Sequence, residues 1–199
     1  MLELAVLGLL NEAPLHGYEL RQRLKATLGT FRAFSYGSLY PSLRRMKAAG
    51  FITEDDGDAD VVADAPPLTG RRGKVVYKLT AEGKERLAEL LAEAGPSSWE
   101  DETFGVHFAF FGLTDPAVRV RILEGRRSRL EERREGVASS LNRTRSRLDS
   151  YTLQLQEHGL ESVEREVRWL TELIETERRS SARPAPEPST PTTRERGAP

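Results

Sequence analysis

The chain has 199 residues, and its 30 Lys and Arg nearly balance its 31 Asp and Glu, which leaves a net charge of -1. It contains no cysteine, which excludes disulfides, thiolate metal sites and cysteine nucleophiles. Its apolar runs are shorter than a membrane span and its N-terminal sequence lacks a basic leader, so we predict a cytoplasmic protein.

Charge is unevenly distributed along this chain. Residues 1–53 carry seven Lys and Arg against three Glu, a net charge of +4. Six carboxylates then follow between Glu54 and Asp64. The pattern indicates a basic module followed by an acidic segment, which the charge of the whole chain conceals.

Two amphipathic helices are predicted first. Apolar residues recur at helical spacing from Leu2 to Leu10, and Pro14 interrupts that pattern. A second helical stripe ends at Gly29 and comprises Tyr18, Leu20, Leu24 and Leu28. Both stripes predict helices that bury one face.

A third helix is predicted within "SYGSLYPSLRRMKAAGFI", residues 35–52. Ser35 or Ser38 can cap it, and with Ser38 as the cap Pro41 lies in the first turn, while Gly50 ends the helix. Its apolar side consists of Leu39, Leu43 and Met46. Its other side combines cations with small residues and comprises Gly37, Tyr40, Pro41, Arg44, Arg45, Lys47 and Ala48. Such a side suits either a large anionic surface or plain solvent.

The segments "FITEDD" and "KVVYKL" predict two β-strands, because β-branched and aromatic residues recur in both. The long loop between them is acidic in its first half and ends in the cations Arg71, Arg72 and Lys74. Thr80 is placed to cap a further helix. Three helices, a hairpin and another helix predict a winged helix-turn-helix, mainly α with a small β-hairpin wing, whose third helix reads the major groove of DNA.

The second half of the chain predicts long helices with a heptad seam. Apolar residues recur at seven-residue spacing, with others between them: Leu123, Leu130, Val137, Thr144 and Tyr151, then Leu141, Leu148 and Leu155. After Gly159 a second helix continues to about Arg179 and repeats the seam in Leu160, Val163, Val167, Leu170 and Ile174. Because one chain offers no evident cover for so narrow a stripe, we predict a homodimer; the alternative is an intramolecular helical hairpin.

Three domains are therefore expected. Residues 1–95 form the winged helix-turn-helix, residues 96–179 form a helical dimerisation domain, and residues 180–199, which are rich in proline and polar residues, form a disordered tail.

The ordered motifs "HGYEL", "GSLYPSL" and "YKLTAEG" resemble the PadR family of bacterial transcription regulators over residues 1 to about 92. The resemblance implies a winged helix-turn-helix with a helical dimerisation region, and often a repressor that is released by a phenolic acid or hydrophobic drug. By position it implies DNA contacts at Tyr18, Tyr36, Ser38, Tyr40, Lys47, Arg71, Arg72 and Lys74. Arg44 and Arg45 join this set because they lie on the basic side of the third helix.

Catalytic and metal sites are not predicted. The histidines His16, His107 and His158 show no ligand spacing or nucleophile motif. The carboxylates of "DGDAD" alternate as in a calcium loop, but the glycine and glutamate that such a loop requires are missing. We therefore expect no enzyme and no cofactor.

Two questions remain open in the sequence. Aromatic residues gather between the two domains: Trp99, Phe104, Phe108, Phe110 and Phe111. Two interpretations that can coexist are that all five fill the junction and that Trp99, Phe104, Phe108 and Phe111 line a pocket for a small hydrophobic effector. The chain could also be a protein-interaction module that uses the winged helix and long helices as docking surfaces. A third helix and a wing that are both basic and free of carboxylates favour the DNA-binding regulator.

Overall fold

The computed structural model describes residues 1–29, 36–56 and 75–182. The first domain contains α1 (Leu2–Glu12), β1 (Leu15–His16), α2 (Gly17–Leu28), α3 (Tyr36–Ala48), β2 (Ile52–Asp56), β3 (Val75–Leu79) and α4 (Ala81–Ala92). The rest comprises α5 (Phe104–Ala109), α6 (Pro116–Thr144) and α7 (Ser150–Ala182), with short 3-10 helices at Pro96–Ser98, Phe111–Leu113 and Arg145–Arg147.

The predicted winged helix-turn-helix is confirmed. Helices α1 to α4 enclose a leucine-rich core, and β2 pairs with β3 in an antiparallel hairpin whose register sets Glu54 opposite Tyr77. The sequence did not predict β1, which pairs with the other edge of β3 and completes a three-stranded sheet. Thr80 caps α4 as predicted, since its Oγ1 accepts a hydrogen bond of 2.9 Å from the Gly83 backbone N–H.

The start of the third helix excludes one of its two predicted caps. Because α3 starts at Tyr36, Ser38 lies inside the helix and the Ser38 cap is wrong; Pro41 is likewise inside the helix. The predicted end is confirmed: Gly50 has φ 79°, and the Phe51 N–H donates to the Met46 carbonyl at 2.9 Å. That pattern is a Schellman motif, which glycine favours because it has no Cβ.

The junction between the two halves is built from α5. Val106 and Phe110 join the core of the first domain, whereas Phe104 and Phe111 join the core of the long helices. A Cβ at Gly8 of α1 would lie 2.4 Å from Phe110 Cε1, so glycine lets this ring approach the helix. Since α5 contributes to both cores, the two halves share packing on either side of the boundary that we predicted near residue 95.

The break between the long helices lies at 145–149, so the predicted break at Gly159 is wrong. Asp149 caps α7, because its carboxylate accepts hydrogen bonds from the backbone N–H groups of Tyr151 and Thr152 at 2.9 and 3.1 Å. Gly159 lies within α7. Glycine costs about 1 kcal/mol in a helix interior, an amount that packing can offset.

Helices α6 and α7 form an antiparallel hairpin within one chain. Ion pairs follow its length, from Arg119 with Glu177 to Arg145 with Glu157. The seam residues that it buries are Leu123, Leu130, Leu141, Val163, Val167, Leu170 and Ile174. The premise that the seam has no cover in its own chain is therefore wrong, and the alternative of an intramolecular hairpin is the observed arrangement.

Most of the seam residues that we assigned to a dimer interface are buried within this hairpin instead. Leu123, Leu130, Leu141, Val167, Leu170 and Ile174 are each at most 8% exposed in the single chain. Val137 and Leu148 are half-buried, and Leu155 is 67% exposed beside Tyr151 at 83%. The apolar seam residues that remain most exposed therefore lie at the tip of the hairpin.

Candidate nucleic-acid interface

The candidate interface begins with the two sides of α3. Leu39, Leu43 and Met46 are at most 4% exposed and join the core, which fixes the rotation of the helix about its axis. The opposite side is exposed and carries Gly37, Ser38, Tyr40, Pro41, Arg44, Arg45 and Lys47. The predicted division of this helix into an apolar and a basic side is therefore observed.

The exposed side of α3 is itself divided in two. Tyr40, Arg44 and Lys47 follow one another at helical spacing, and we call these three residues the α3 basic face. Tyr40 and Arg44 line a groove of about 450 Å³ between α3 and the sheet. Arg45 instead lines a groove beside the start of α1, and therefore points away from the wing.

Two tyrosines form the floor of the groove between α3 and the sheet. A Cβ at Gly17 would lie 3.4 Å from Tyr77 Cε2 and 3.6 Å from Tyr40 Cε1, so both rings pack over this glycine. Tyr77 is 7% exposed, and burial, followed by the nearby Glu54 carboxylate, raises the pKa of its phenol. The phenol therefore stays neutral at physiological pH, and the charge of the groove comes from Arg44 and Glu54.

A carboxylate lies at the α3 basic face, contrary to our expectation. Glu54 of β2 forms an ion pair with Lys47. The next residue, Asp55, pairs instead with Lys78 of β3. Because successive side chains of a strand point to opposite faces, Glu54 is on the side of β2 that carries the buried Ile52.

Sequence reasoning missed the role of Glu54 because it treated the acidic residues as one group. The alternation of side chains from Ile52 was the signal that separates Glu54 from Asp55. We favoured DNA binding partly because we expected the third helix and the wing to be free of carboxylates. Glu54 lies beside the α3 basic face at the start of the wing, so that expectation is wrong.

A second basic surface lies on α2. Tyr18, Arg21, Gln22, Arg23, Lys25 and Ala26 line an open groove there. The Tyr18 hydroxyl accepts a hydrogen bond from Gln22 Nε2, which positions the ring along the helix. Arg21 and Lys25 are exposed cations that the predicted set of DNA contacts did not include. Their spacing of four residues on an amphipathic helix was the signal that could have found them.

A family model described as the transcriptional regulator PadR-like family matches residues 6–89, the part that holds α1 to α3, the sheet and most of α4. These residues are therefore similar to the transcriptional regulators that the PadR-like family model describes. The match confirms the family that the motifs indicated. Members of this family are transcriptional regulators, in agreement with the prediction that the chain is not an enzyme.

A curated relative matches about half of this chain. The negative transcriptional regulator PadR of Bacillus subtilis (strain 168) is 31% identical over 97 residues, which make up 48% of each chain. The match thus spans about half the length of that curated relative.

Solved structures of Bacillus subtilis PadR with operator DNA and with p-coumaric acid are 22% and 21% identical to this chain. The two alignments cover 88% and 89% of this chain and 98% of each solved chain, and both have a TM-score of 0.40.

Several predicted contact residues of the PadR-like domain lie outside what the structure describes. Tyr36 begins α3, but its side chain is not among the described ones, and residues 57–74 with Arg71, Arg72 and Lys74 are not described. The same holds for the predicted tail beyond residue 182. The DNA contacts assigned to these residues stay predictions.

The aromatic residues behind the PadR-like domain form one cluster with α7. Ring centroids lie 5.7 Å apart for Phe104 and Phe108, 5.0 Å for Phe108 and Phe111, and 5.3 Å for Phe108 and Trp169. A Cβ at Gly125 of α6 would lie 2.5 Å from the indole of Trp99, so that ring packs directly on the helix. The cluster fills the junction, and its use as an effector pocket stays a prediction.

Within residues 1–29, 36–56 and 75–182, no three His, Cys, Asp or Glu side chains gather as a metal ion would require. None of the helices in these ranges is both long and apolar enough to cross a bilayer. His16 precedes α2, where its backbone N–H donates to Glu19 Oε2 at 3.0 Å, a structural role at the helix start.

Proposed function

We propose that the chain is a sequence-specific DNA-binding transcriptional regulator, a homodimeric repressor that acts in the cytoplasm on a pseudo-palindromic operator. The observation that carries the proposal is the α3 basic face, in which Tyr40, Arg44 and Lys47 are exposed while the opposite side of the helix is fixed in the core. The match of residues 6–89 to a family model of transcriptional regulators supports it.

The dimensions and charge of α3 suit the major groove. Its 13 residues span about 20 Å, and an α-helix fits a groove about 12 Å wide. Arg44 and Lys47 can donate to guanine O6 and N7, and Tyr40 can contact a base edge or a thymine methyl. We assign to Arg45 and to the α2 cations Arg21 and Lys25 the phosphate contacts that would fix the register of the helix.

Repression and release extend this proposal. The name of the curated relative describes a negative regulator, and we assign the same sign of regulation to this chain. A small hydrophobic effector that enters among Trp99, Phe104, Phe108 and Phe111 would disturb the junction that joins the DNA-binding domain to the long helices. Release of DNA would then follow from a change in the spacing of the two copies of α3.

The proposal is tested by binding isotherms of the full chain on duplexes from its own upstream region and on scrambled duplexes, at several salt concentrations. We expect tighter binding to one upstream duplex and a linear fall of log K with log salt, since phosphate contacts release counterions. Equal affinity for all duplexes would contradict sequence-specific regulation.

The ion pair between Lys47 and Glu54 favours one second candidate, a protein-interaction module, because a paired cation is a weaker attraction for DNA. No binding to any duplex, together with a stable folded chain, would favour that module.

A further inference from the structure

Lys47 of the α3 basic face already has an anionic partner. Its ammonium pairs with Glu54, whose side chain is 28% exposed against 51% for Lys47. The carboxylate is therefore the more fixed member of the pair, and the lysine is the member that can reach a partner in solvent.

The position of Glu54 is set by the sheet. It lies opposite Tyr77 in the register of β2 and β3, and with Tyr40 and Arg44 it lines the groove between α3 and the wing. Strand pairing fixes the backbone of Glu54, so its carboxylate stays within side-chain reach of α3 when DNA approaches. Its negative charge consequently stays at the surface that we propose for DNA.

From this geometry we propose that Glu54 is a specificity-determining residue, which holds Lys47 away from the DNA backbone and so weakens binding to DNA of unrelated sequence. The inference rests on the proposed function. A phosphate and a carboxylate are competing acceptors for one ammonium group, and on random DNA Lys47 can only exchange one for the other. On the operator, base contacts of α3 offset the loss of the ion pair.

The expected size of the effect follows from counterion release. Each phosphate contact adds about 0.9 to the slope of log K against log salt, so one contact is worth about eightfold in affinity at 0.1 M salt relative to 1 M. Replacing Glu54 by Gln removes the charge and keeps the shape of the side chain. We expect Glu54→Gln to bind a random-sequence duplex about eightfold more tightly at 0.1 M salt, with a slope steeper by about 0.9.

The chain offers a matched control. Asp55→Asn removes the same charge from the next residue of β2, but it releases Lys78 on the other face of the strand. We expect Asp55→Asn to change affinity by less than about twofold and to leave the slope unchanged, since Lys78 does not belong to the α3 basic face. In a background of Lys47→Ala, Glu54→Gln should also have little effect, because the cation that it releases is gone.

The experiment compares wild type, Glu54→Gln, Asp55→Asn, Lys47→Ala and the double variant on random and upstream duplexes. A gain that is confined to Glu54→Gln, that needs Lys47 and that is larger on random DNA supports the inference. If wild type binds DNA and Glu54→Gln behaves like Asp55→Asn, this inference alone is overturned. If wild type binds neither duplex, the proposed function falls as well.

Discussion

Arg126 of α6 is the residue whose loss should most weaken the junction between the two halves of the chain. Its side chain is 8% exposed, and its guanidinium donates to Glu166 at 2.8 and 2.9 Å, to the Trp99 carbonyl at 3.2 Å and to Asp101. Its Cζ also lies 5.3 Å from the centre of the Phe104 ring. One side chain thus connects α6, α7, α5 and the segment that precedes α5.

The cost of Arg126→Ala can be estimated from these contacts. Removing one partner of a fully buried ion pair costs about 3 to 5 kcal/mol. Glu166 and Asp101 are 33% and 56% exposed, so they regain water and the cost is smaller, about 2 kcal/mol. Loss of the cation–π contact with Phe104 adds about 1 kcal/mol. We expect the free energy of unfolding to fall by about 3 kcal/mol in total.

The matched control for this prediction is Arg133→Ala. Arg133 lies on the same helix and also contacts Asp101, at 3.4 Å, but its side chain is 58% exposed. An exposed pair contributes at most about 1 kcal/mol, so this variant should lose little. Urea denaturation followed by circular dichroism measures both losses. If the two variants unfold at the same urea concentration, burial of Arg126 does not stabilise the junction and the reasoning is refuted.

Three further predictions concern other parts of the chain. His107 is 3% exposed, and burial lowers its pKa to about 4. The unfolded chain therefore binds a proton at His107 more readily than the folded chain, so the free energy of unfolding is highest above about pH 6.5 and falls as the pH drops toward 4. The free energy of unfolding obtained from urea denaturation should fall by about 1 to 2 kcal/mol by pH 5, and it should fall less in His107→Gln. Leu155→Glu should shift sedimentation toward the monomer while Gln154→Glu does not, and equal sedimentation of both would argue against a dimer contact at the hairpin tip. Thr80→Ala should cost about 1 kcal/mol in thermal unfolding, because the Gly83 N–H loses its cap, and an unchanged midpoint would contradict that role.

Local signals in the sequence predicted most of the first domain. Gly29 and Gly50 mark helix ends, and Thr80 caps α4, because each acts through backbone geometry within a few residues. The two-residue strand β1 escaped prediction, since two residues carry no periodicity.

The long helices show where local signals fail. A seven-residue seam specifies that one side of a helix is buried, but not whether the partner belongs to the same chain. Pairing within the same chain depends on a turn between the two helices. Asp149 caps α7 and places that turn ten residues before Gly159. Ion pairs across the hairpin, such as Arg119 with Glu177, join residues that are far apart in sequence and could not be paired from the sequence alone.

The candidate site was predicted in outline. Helical periodicity correctly placed Tyr40, Arg44 and Lys47 outside the core, because the leucines of α3 fix its rotation. The pairing of Lys47 with Glu54 depends on how α3 packs on β2, which is a tertiary contact. Charge counts along the sequence therefore located the basic surface but not the carboxylate beside it.

The central claim, that α3 reads the sequence of DNA, is tested most directly by one set of isotherms for Arg44→Ala. Wild type, Arg44→Ala and the control Arg168→Ala, an exposed arginine of α7, are each titrated with the preferred upstream duplex and with a scrambled duplex. We predict that Arg44→Ala loses about 1 to 3 kcal/mol on the preferred duplex, about 5- to 150-fold in affinity, and much less on the scrambled one. Arg168→Ala should match wild type on both. An equal loss of Arg44→Ala affinity on both duplexes would show that Arg44 contacts only the backbone, and would contradict the claim.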